Sequence, residues 1–425
     1  MSKNRNYNRP MPLWPRYGKR IFANGVDLSE DTRQTGLNNN VLVIGNSGCG
    51  KTGSYICSVL KNIQSSVILQ DVKGQLYGMF AADLRRRGYN VVKLDFTEPL
   101  KSRGYNPLAT VRRNGDGSVY EPDVKAIADS ISPITSDPKE PIWDMCAAAM
   151  IEFMIAYTLE AMPTEQHNMV TVTNLFRTYI QHQGDLYFLK WIKDNPDSIS
   201  ARLFAEIQAN RVADKMFASY VGMASAHLQG FTMKAAKLIL SKSDPIDLAD
   251  IGRRKTAVFI KVSDTEHNFD NIVSLFYTQT LQTLCREADS NRYGKLPVPV
   301  HLILDDFGST SAFINNFDKN ISTIRSRDIY ASLIIQSLSQ LQTMYDECAA
   351  KTIINNCDTL LFMGCNDPDT ARMIADRTSR TVDNILCMPR NKVYVIMSGR
   401  KAMLADKIAP YSMLDTLGSD PECSM

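Results

Sequence analysis

The feature that most constrains this chain is the run Gly45-Asn46-Ser47-Gly48-Cys49-Gly50-Lys51-Thr52, which satisfies the pattern G-x-x-x-x-G-K-[ST]. It has the flanks the pattern needs: an apolar run at 41–45 ends in its first glycine, and 51–63 continues with helical spacing. A strand feeding a glycine-rich turn and then a helix leaves successive backbone N–H groups turned inward at a helix N-terminus, where they cradle phosphate oxygens. Lys51 adds a point charge for the β- and γ-phosphates, and the Thr52 hydroxyl is a magnesium ligand. The run therefore reads as the binding loop for a nucleoside triphosphate, ATP, with Mg2+. A chain built around such a unit is committed to an α/β fold, a mainly parallel central sheet flanked by helices.

A magnesium-bound triphosphate needs a second strand carrying a carboxylate at its tip. His301-Leu302-Ile303-Leu304 runs into Asp305 and Asp306. Asp305 is placed to hold the Mg2+ through water, and Asp306 to polarise the attacking water. Further apolar runs at 66–71, 91–95, 256–262, 330–336, 359–364 and 393–398 predict the remaining strands. Gln336 closes one of them, where its amide can bond a γ-phosphate or the attacking water. Arg325 and Arg327 follow a helical segment after the acid pair. Either is a candidate for reaching a neighbour's γ-phosphate, and either is equally at home as a surface arginine.

Charge narrows the partners. With 48 basic against 45 acidic residues the net charge is only +3, so a nucleic-acid surface has to be local. Arg85-Arg86-Arg87, Arg112-Arg113 and Arg253-Arg254-Lys255 are candidate phosphate contacts, each also readable as a solvated face. The nine cysteines contain no Cys-x-x-Cys pair and the five histidines are scattered, which argues against a disulfide framework or a zinc site. The first twenty residues are polar and basic with no apolar stretch, unlike a signal peptide. The segment 145–162 is long and apolar, but Glu152 and Glu160 within it favour a buried amphipathic helix over a membrane span.

Periodicity divides the chain. Strand-helix alternation covers 36–121 and 243–412, the nucleotide-binding motor, while 122–242 is rich in Ala, Leu, Met and Gln and reads as an inserted all-α domain entered through Pro133, Pro138 and Pro141. Residues 1–35 form a basic N-terminal arm, with Lys3, Arg5, Arg9, Arg16, Lys19 and Arg20 interleaved with Tyr7, Trp14, Tyr17 and Phe22. That arm either packs over the motor's edge or contacts DNA phosphates or anionic lipid. Residues 413–425 are a polar tail.

These motifs, in this order, resemble the coupling-protein ATPases of type IV secretion and bacterial conjugation. The binding loop is followed by Asp71-Val72-Lys73-Gly74-Gln75-Leu76-Tyr77, similar to the family's Asp-Pro-Lys-Gly-Glu-Leu segment. Tyr105-Asn106-Pro107-Leu108 matches its Tyr-Asn-Pro-Leu turn, and Trp143-Asp144 heads its helical insertion. Asp305-Asp306-Phe307, Arg325-Ser326-Arg327, Gln336-Ser337-Leu338-Ser339-Gln340-Leu341, Asn355-Asn356-Cys357 and Asp367-Pro368-Asp369-Thr370-Ala371 follow in family order. The resemblance implies a RecA-like motor carrying an all-α domain, assembling as a hexameric ring on DNA. It implies ATP turnover that drives relaxase-bound DNA to a secretion channel, with relaxosome proteins and membrane channel subunits as partners. The implied location is cytoplasmic, at the inner face of the membrane through a partner. Lys51, Thr52, Asp305 and Asp306 would carry the chemistry, Arg325 or Arg327 would act in trans, and Gln336 would sense the γ-phosphate.

Two departures stand out. Family members typically begin with membrane helices, which this sequence does not show, and their second acid is Glu where this chain has Asp306, one methylene shorter. A nucleotide-gated relaxosome adaptor with little turnover therefore stays open, as does a septal or packaging-type DNA translocase sharing the same motor.

Overall fold

The computed structural model describes residues 17–133, 142–181, 184–209, 214–263, 266–308 and 313–412. Most of the basic arm (Lys3, Arg5, Arg9 and Arg16 with Tyr7 and Trp14), Pro138, Pro141, Cys423 and the tail 413–425 lie outside them. The strands, in chain order, are β1 (Lys19–Ala23), β2 (Val26–Ser29), β3 (Val41–Ile44), β4 (Ser66–Gln70), β5 (Asn90–Asp95), β6 (Thr256–Lys261), β7 (Val300–Leu304), β8 (Ile329–Ile335), β9 (Thr359–Phe362), β10 (Lys392–Met397) and β11 (Met403–Asp406). From β3 to β10 they lie on the apolar runs read in the sequence.

Nine of these strands form one sheet in the order β11-β10-β9-β3-β8-β7-β4-β6-β5. The stretch from β9 to β5 is parallel, while β10 pairs antiparallel with β9 and β11 antiparallel with β10. Continuous apolar strands mean burial on both faces. In β3, Val41 and Val43 join one core and Leu42 and Ile44 the other. The first core packs the helices Cys57–Asn62 and Gln75–Arg86 and the β1–β2 hairpin against the sheet. The second takes the helices Asp270–Asp289, Phe317–Ile324 and Pro368–Thr378 and runs without a break into the helical insertion.

That insertion runs from helix Glu121–Ile131 to helix Lys234–Leu240. At its centre, Ile142–Ala161 departs from the amphipathic helix expected from sequence: every residue from Met150 to Leu159 is buried. The helices Glu121–Ile131, Met169–Ile180, Ile199–Ala209 and Asp214–Thr232 surround it, leaving no face for water from Met150 to Leu159, while Ile142 and Met145 in its first turns are exposed. Its acids are accommodated individually. Glu160 accepts the N–H groups of Ile199 and Ser200 and so caps the start of a neighbouring helix. Glu152 is buried, and burial pushes its carboxyl up.

The Tyr-Asn-Pro-Leu turn stitches the insertion to the motor. Tyr105, buried, donates to Gln279 Oε1 at 2.5 Å, and Gln279 Nε2 returns to Pro107 O at 3.0 Å. Asn106 caps the short turn Pro107–Thr110 through Leu108 N–H and donates to His167 O, inside the helical insertion, at 2.8 Å. The N-terminal hairpin, which the sequence had not shown as strands, turns at Asn24-Gly25 and buries Phe22 and Leu28 on the motor. Arg20 is drawn in with it and donates to Asn39 O at 3.1 Å.

Within β7, His301 is fully buried, stacked beside Tyr330 and bonded through Nε2 to Ser332 Oγ at 2.7 Å. Burial pushes its pKa down from 6.5 to about 3. The folded state therefore binds fewer protons than the unfolded chain between these values, so stability holds above pH 6.5 and is lost as pH falls toward 3. The expected loss from this one imidazole is about 1.4 kcal/mol per pH unit in that window. Urea melts from pH 7 to 4 should show a shallower pH dependence in His301→Gln.

Candidate nucleotide-binding site

The glycine-rich loop leaves the tip of β3 and is wedged between the tips of its neighbours. Gly45 N–H donates to Ile335 O at the end of β8 (3.1 Å), and Asn46 N–H to Gly364 O just past β9 (3.0 Å). A Cβ at Gly45 would lie 2.4 Å from Cys49 Sγ, so only glycine lets the loop fold back on itself there. Gly50 sits at φ 94°, the turn into the helix. That helix begins wide: residues Lys51–Ile56 form a π-helical segment before the α-helix Cys57–Asn62. Lys51 Nζ lies over the loop, donating to Gly45 O at 2.6 Å and Asn46 O at 3.1 Å.

The acid pair stands one strand away, at the tip of β7. Thr52 Oγ1 and Asp305 Oδ2 are 3.4 Å apart, a hydroxyl and a carboxylate brought together from different elements. Two hard oxygen donors at that separation suit Mg2+, held directly by the hydroxyl and by the carboxylate through water. Burial pushes the Asp305 carboxyl up, and Asp306 adds to it; Lys51 and Thr52 pull the other way. Asp306 adopts φ 55°, with its N–H on Asp305 Oδ1 at 3.1 Å, which turns its side chain away from that of Asp305. The exposed Gln336 at the end of β8 donates to Asp306 Oδ1 at 3.4 Å. Lys51, Thr52, Asp305, Asp306 and Gln336 thus meet at the carboxyl ends of adjacent parallel strands, where open α/β sheets bind ligands.

The arginines do not join them. Arg325 and Arg327 form a short turn, Arg325–Arg327, before the start of β8, at the opposite end of the sheet. The seven residues of β8 put roughly 20 Å between that turn and Gln336. Neither guanidinium can serve the loop of its own chain. Arg327 is held by both oxygens of Asp289, at 2.8 and 3.0 Å. Arg325 is exposed, and its guanidinium makes no hydrogen bond or ion pair among the described residues.

Most members of the basic clusters have partners within the chain, though several keep about half or more of their side chain exposed. Arg87 donates to the carbonyls of Leu60, Lys61 and Ile63, Arg112 grips Asp123, and Arg113 bonds Leu159 O. Arg253 pairs with Glu287, Arg254 with Asp250, and Lys255 with Gln64. They staple helix ends and turns to their neighbours.

The sequence reading missed one wall of the site. A cleft of about 970 Å³ beside the loop is lined by Met363, Leu386, Met388, Arg390, Ile408 and Pro410. From that wall Lys407, buried, donates to Cys49 O at 3.0 Å and to Met363 O at 3.1 Å. Its partners are backbone carbonyls distant in the chain, so no local pattern could have marked it. Gln340 was also missed, although the Gln336-x-x-x-Gln340 spacing was a legible signal.

The sequence profile of the family described as Type IV secretory system Conjugative DNA transfer matches residues 15–382. The chain belongs to that conjugative DNA-transfer family. Within it, the chain is 22% identical to Protein VirD4 of Rhizobium rhizogenes over 341 residues, 79% of this chain and 48% of that protein. Protein VirD4 of Agrobacterium fabrum (strain C58) matches with the same identity and coverage. The chain spans about half the length of these curated relatives. Among solved structures, the conjugative coupling protein TrwBdeltaN70 in its unbound monoclinic form superposes with TM-score 0.67 at 16% identity, covering 92% of this chain and 88% of that one. TrwB in complex with ADP and Mg2+ gives 0.66 at 16%, covering 94% and 92%. VirB4 of Thermoanaerobacter pseudethanolicus gives 0.53 at 13%, covering 88% and 91%. These likenesses place the fold among RecA-type P-loop NTPases.

Lys407 yields a test of the candidate nucleotide-binding site that leaves its charged apex intact. Removing the ammonium takes the side-chain donor from two carbonyls, those of buried Met363 and of half-buried Cys49 in the loop. Lys407→Met is expected to weaken binding of a fluorescent ATP analogue about tenfold in an equilibrium titration.

Proposed function

We propose that this chain is an ATP-dependent coupling protein that hydrolyses MgATP and uses the turnover to drive relaxase-bound DNA toward a type IV secretion channel. The observation that carries the reading is the meeting of Lys51, Thr52, Asp305, Asp306 and Gln336 at one end of the sheet, in a chain matched to the family over most of its length. TrwB has been solved with ADP and Mg2+, and the hydroxyl–carboxylate pair of Thr52 and Asp305 fits the same cation here. When bound, the cation would draw charge from the β- and γ-phosphates. Lys51 would move from its loop carbonyls to the phosphate oxygens, Asp306 would take a proton from the attacking water, and Gln336 would bond the γ-phosphate.

Of the two candidate arginines, Arg325 alone has a guanidinium without a hydrogen bond or ion pair among the described residues, and it lies at the opposite end of the sheet from its own loop. A head-to-tail ring supplies it from the next subunit, which supports a homo-hexamer closed around DNA. In this reading the helical insertion selects relaxosome proteins on the cytoplasmic side of the membrane, near the channel subunits.

The deciding experiment is DNA-stimulated ATP hydrolysis. Lys51→Ala should abolish it, and unchanged hydrolysis would remove the loop from the mechanism. Arg325→Ala should lower it by on the order of 10³-fold, while Arg327→Ala, which loses bonds to Asp289 and to Thr323 O within its own chain, should retain most of it. Equal mixtures of the Lys51→Ala and Arg325→Ala chains should regain activity, since roughly a quarter of interfaces in a random ring join an intact loop to an intact arginine. A mixture as inactive as either parent would refute the shared site.

A further inference from the structure

One side chain outside the set nominated by sequence reaches the apex of the site. Gln340 lies in the first turn of helix Leu338–Met344, four residues after Gln336, with Ser337 as the helix cap. Its Oε1 accepts the backbone N–H of Gln336 at 3.1 Å. Its Nε2 donates to Asp306 Oδ1 at 3.4 Å, the same oxygen that takes Gln336 Nε2 at 3.4 Å. The amide has one workable orientation, because the Gln336 backbone offers a donor and must meet the carbonyl end, leaving the NH2 for the carboxylate. The fold also reserves room for it. A Cβ at Gly308 would fall 2.2 Å from Gln340 Cγ and 2.3 Å from Cδ, and Gly308 is not among the positive-φ glycines. Space for Gln340, rather than backbone freedom, accounts for glycine at 308.

The two amides on Asp306 are not equivalent. Gln336 is exposed and, among the described residues, has only this bond on its side chain, so it is free to turn toward a bound phosphate. Gln340 is fixed at both ends of its amide and half-buried. A carboxylate on a stem as short as that of aspartate has few rotamers that reach a water, and a donor on one oxygen leaves the other to accept the water's proton. We infer that Gln340 is the positioning residue of this site: it holds Asp306 Oδ1 when Gln336 departs, and so keeps the short acid aimed at the attacking water. The inference rests on the proposed ATPase reading and names a further part of that machinery.

The test uses the full chain, measuring DNA-stimulated steady-state hydrolysis, equilibrium binding of a fluorescent ATP analogue, and thermal melting. Gln340→Glu is near-isosteric and still accepts the Gln336 N–H, but it sets an anion against Asp306. It is expected to lower kcat at least about tenfold with KM and nucleotide affinity within about twofold. Gln340→Ala should match it, with an unchanged melting temperature. Gly308→Ala, which displaces the side chain without altering its chemistry, should lower kcat in the same way, and the Gly308→Ala/Gln340→Ala double variant should be no slower than Gln340→Ala alone. Wild-type kcat in Gln340→Glu overturns the inference, as does strict additivity in the double variant. A wild-type chain that binds the nucleotide but never turns it over defeats the ATPase reading itself, and the inference with it.

Discussion

The architecture depends on how the glycine loop is held between two strand tips. Its first two backbone N–H groups are committed to carbonyls at the ends of β8 and β9, and in a sheet buried on both faces those carbonyls cannot move independently of the core. The order β9-β3-β8-β7 then fixes everything the site needs. One strand separates the loop from the acid tip, so the start of the loop helix comes within 3.4 Å of Asp305. The intervening β8 ends in Gln336, between the two. A different strand order with the same residues would give a phosphate loop and an acidic turn, but no shared site.

Much of this was legible in the sequence because parallel strands buried on both faces are unbroken apolar runs, and a loop whose backbone must cradle phosphate leaves a glycine signature. What escaped has physical reasons. The hairpin strands β1 and β2 carry Lys19, Arg20 and Asp27, so their buried members are masked by charge, and β11 is an exposed edge strand with no apolar run. Helix Ile142–Ala161 was expected to be a buried amphipathic helix because its acids argue against a membrane span; it is buried, and the fold answers those acids with a helix cap and with burial. The basic clusters stayed open between phosphate contacts and solvated faces because partners such as Leu60 O for Arg87 and Glu287 for Arg253 lie far away in the chain, invisible to a linear pattern.

Several family motifs prove to be joints of the scaffold. Asp71 accepts the N–H of Tyr77 in the first turn of helix Gln75–Arg86, and Asp367 caps helix Pro368–Thr378. The carbonyl of Asn356 is shared by the side-chain amides of Asn38 and Asn40 at the entry to β3. Tyr105 and Asn106 carry the seam to the helical insertion, whose apolar core is continuous with the motor's. A displacement of helix Asp270–Asp289 by the motor would therefore be felt across that seam, because Gln279 is bonded to the turn on both sides of its amide.

The two ends of the sheet are also joined by a single stiff piece. The β1–β2 hairpin begins beside the arginine turn, where Tyr17 donates to Asp328 Oδ2 at 3.0 Å and Lys295 holds the other oxygen at 2.8 Å. It ends at the nucleotide cleft, where Asn24 N–H donates to Asp406 O at 2.9 Å and Asn24 Nδ2 to Lys407 O at 3.0 Å. Lys407 in turn holds the carbonyl of Cys49 within the loop. An antiparallel pair is far less compliant along its strands than a loop of the same length, since shortening it means breaking ladder bonds. The chain of contacts from Cys49 through Lys407, Asn24 and Tyr17 to Asp328 thus links the glycine loop at one end of the sheet to the Arg325–Arg327 turn at the other in one mechanical frame.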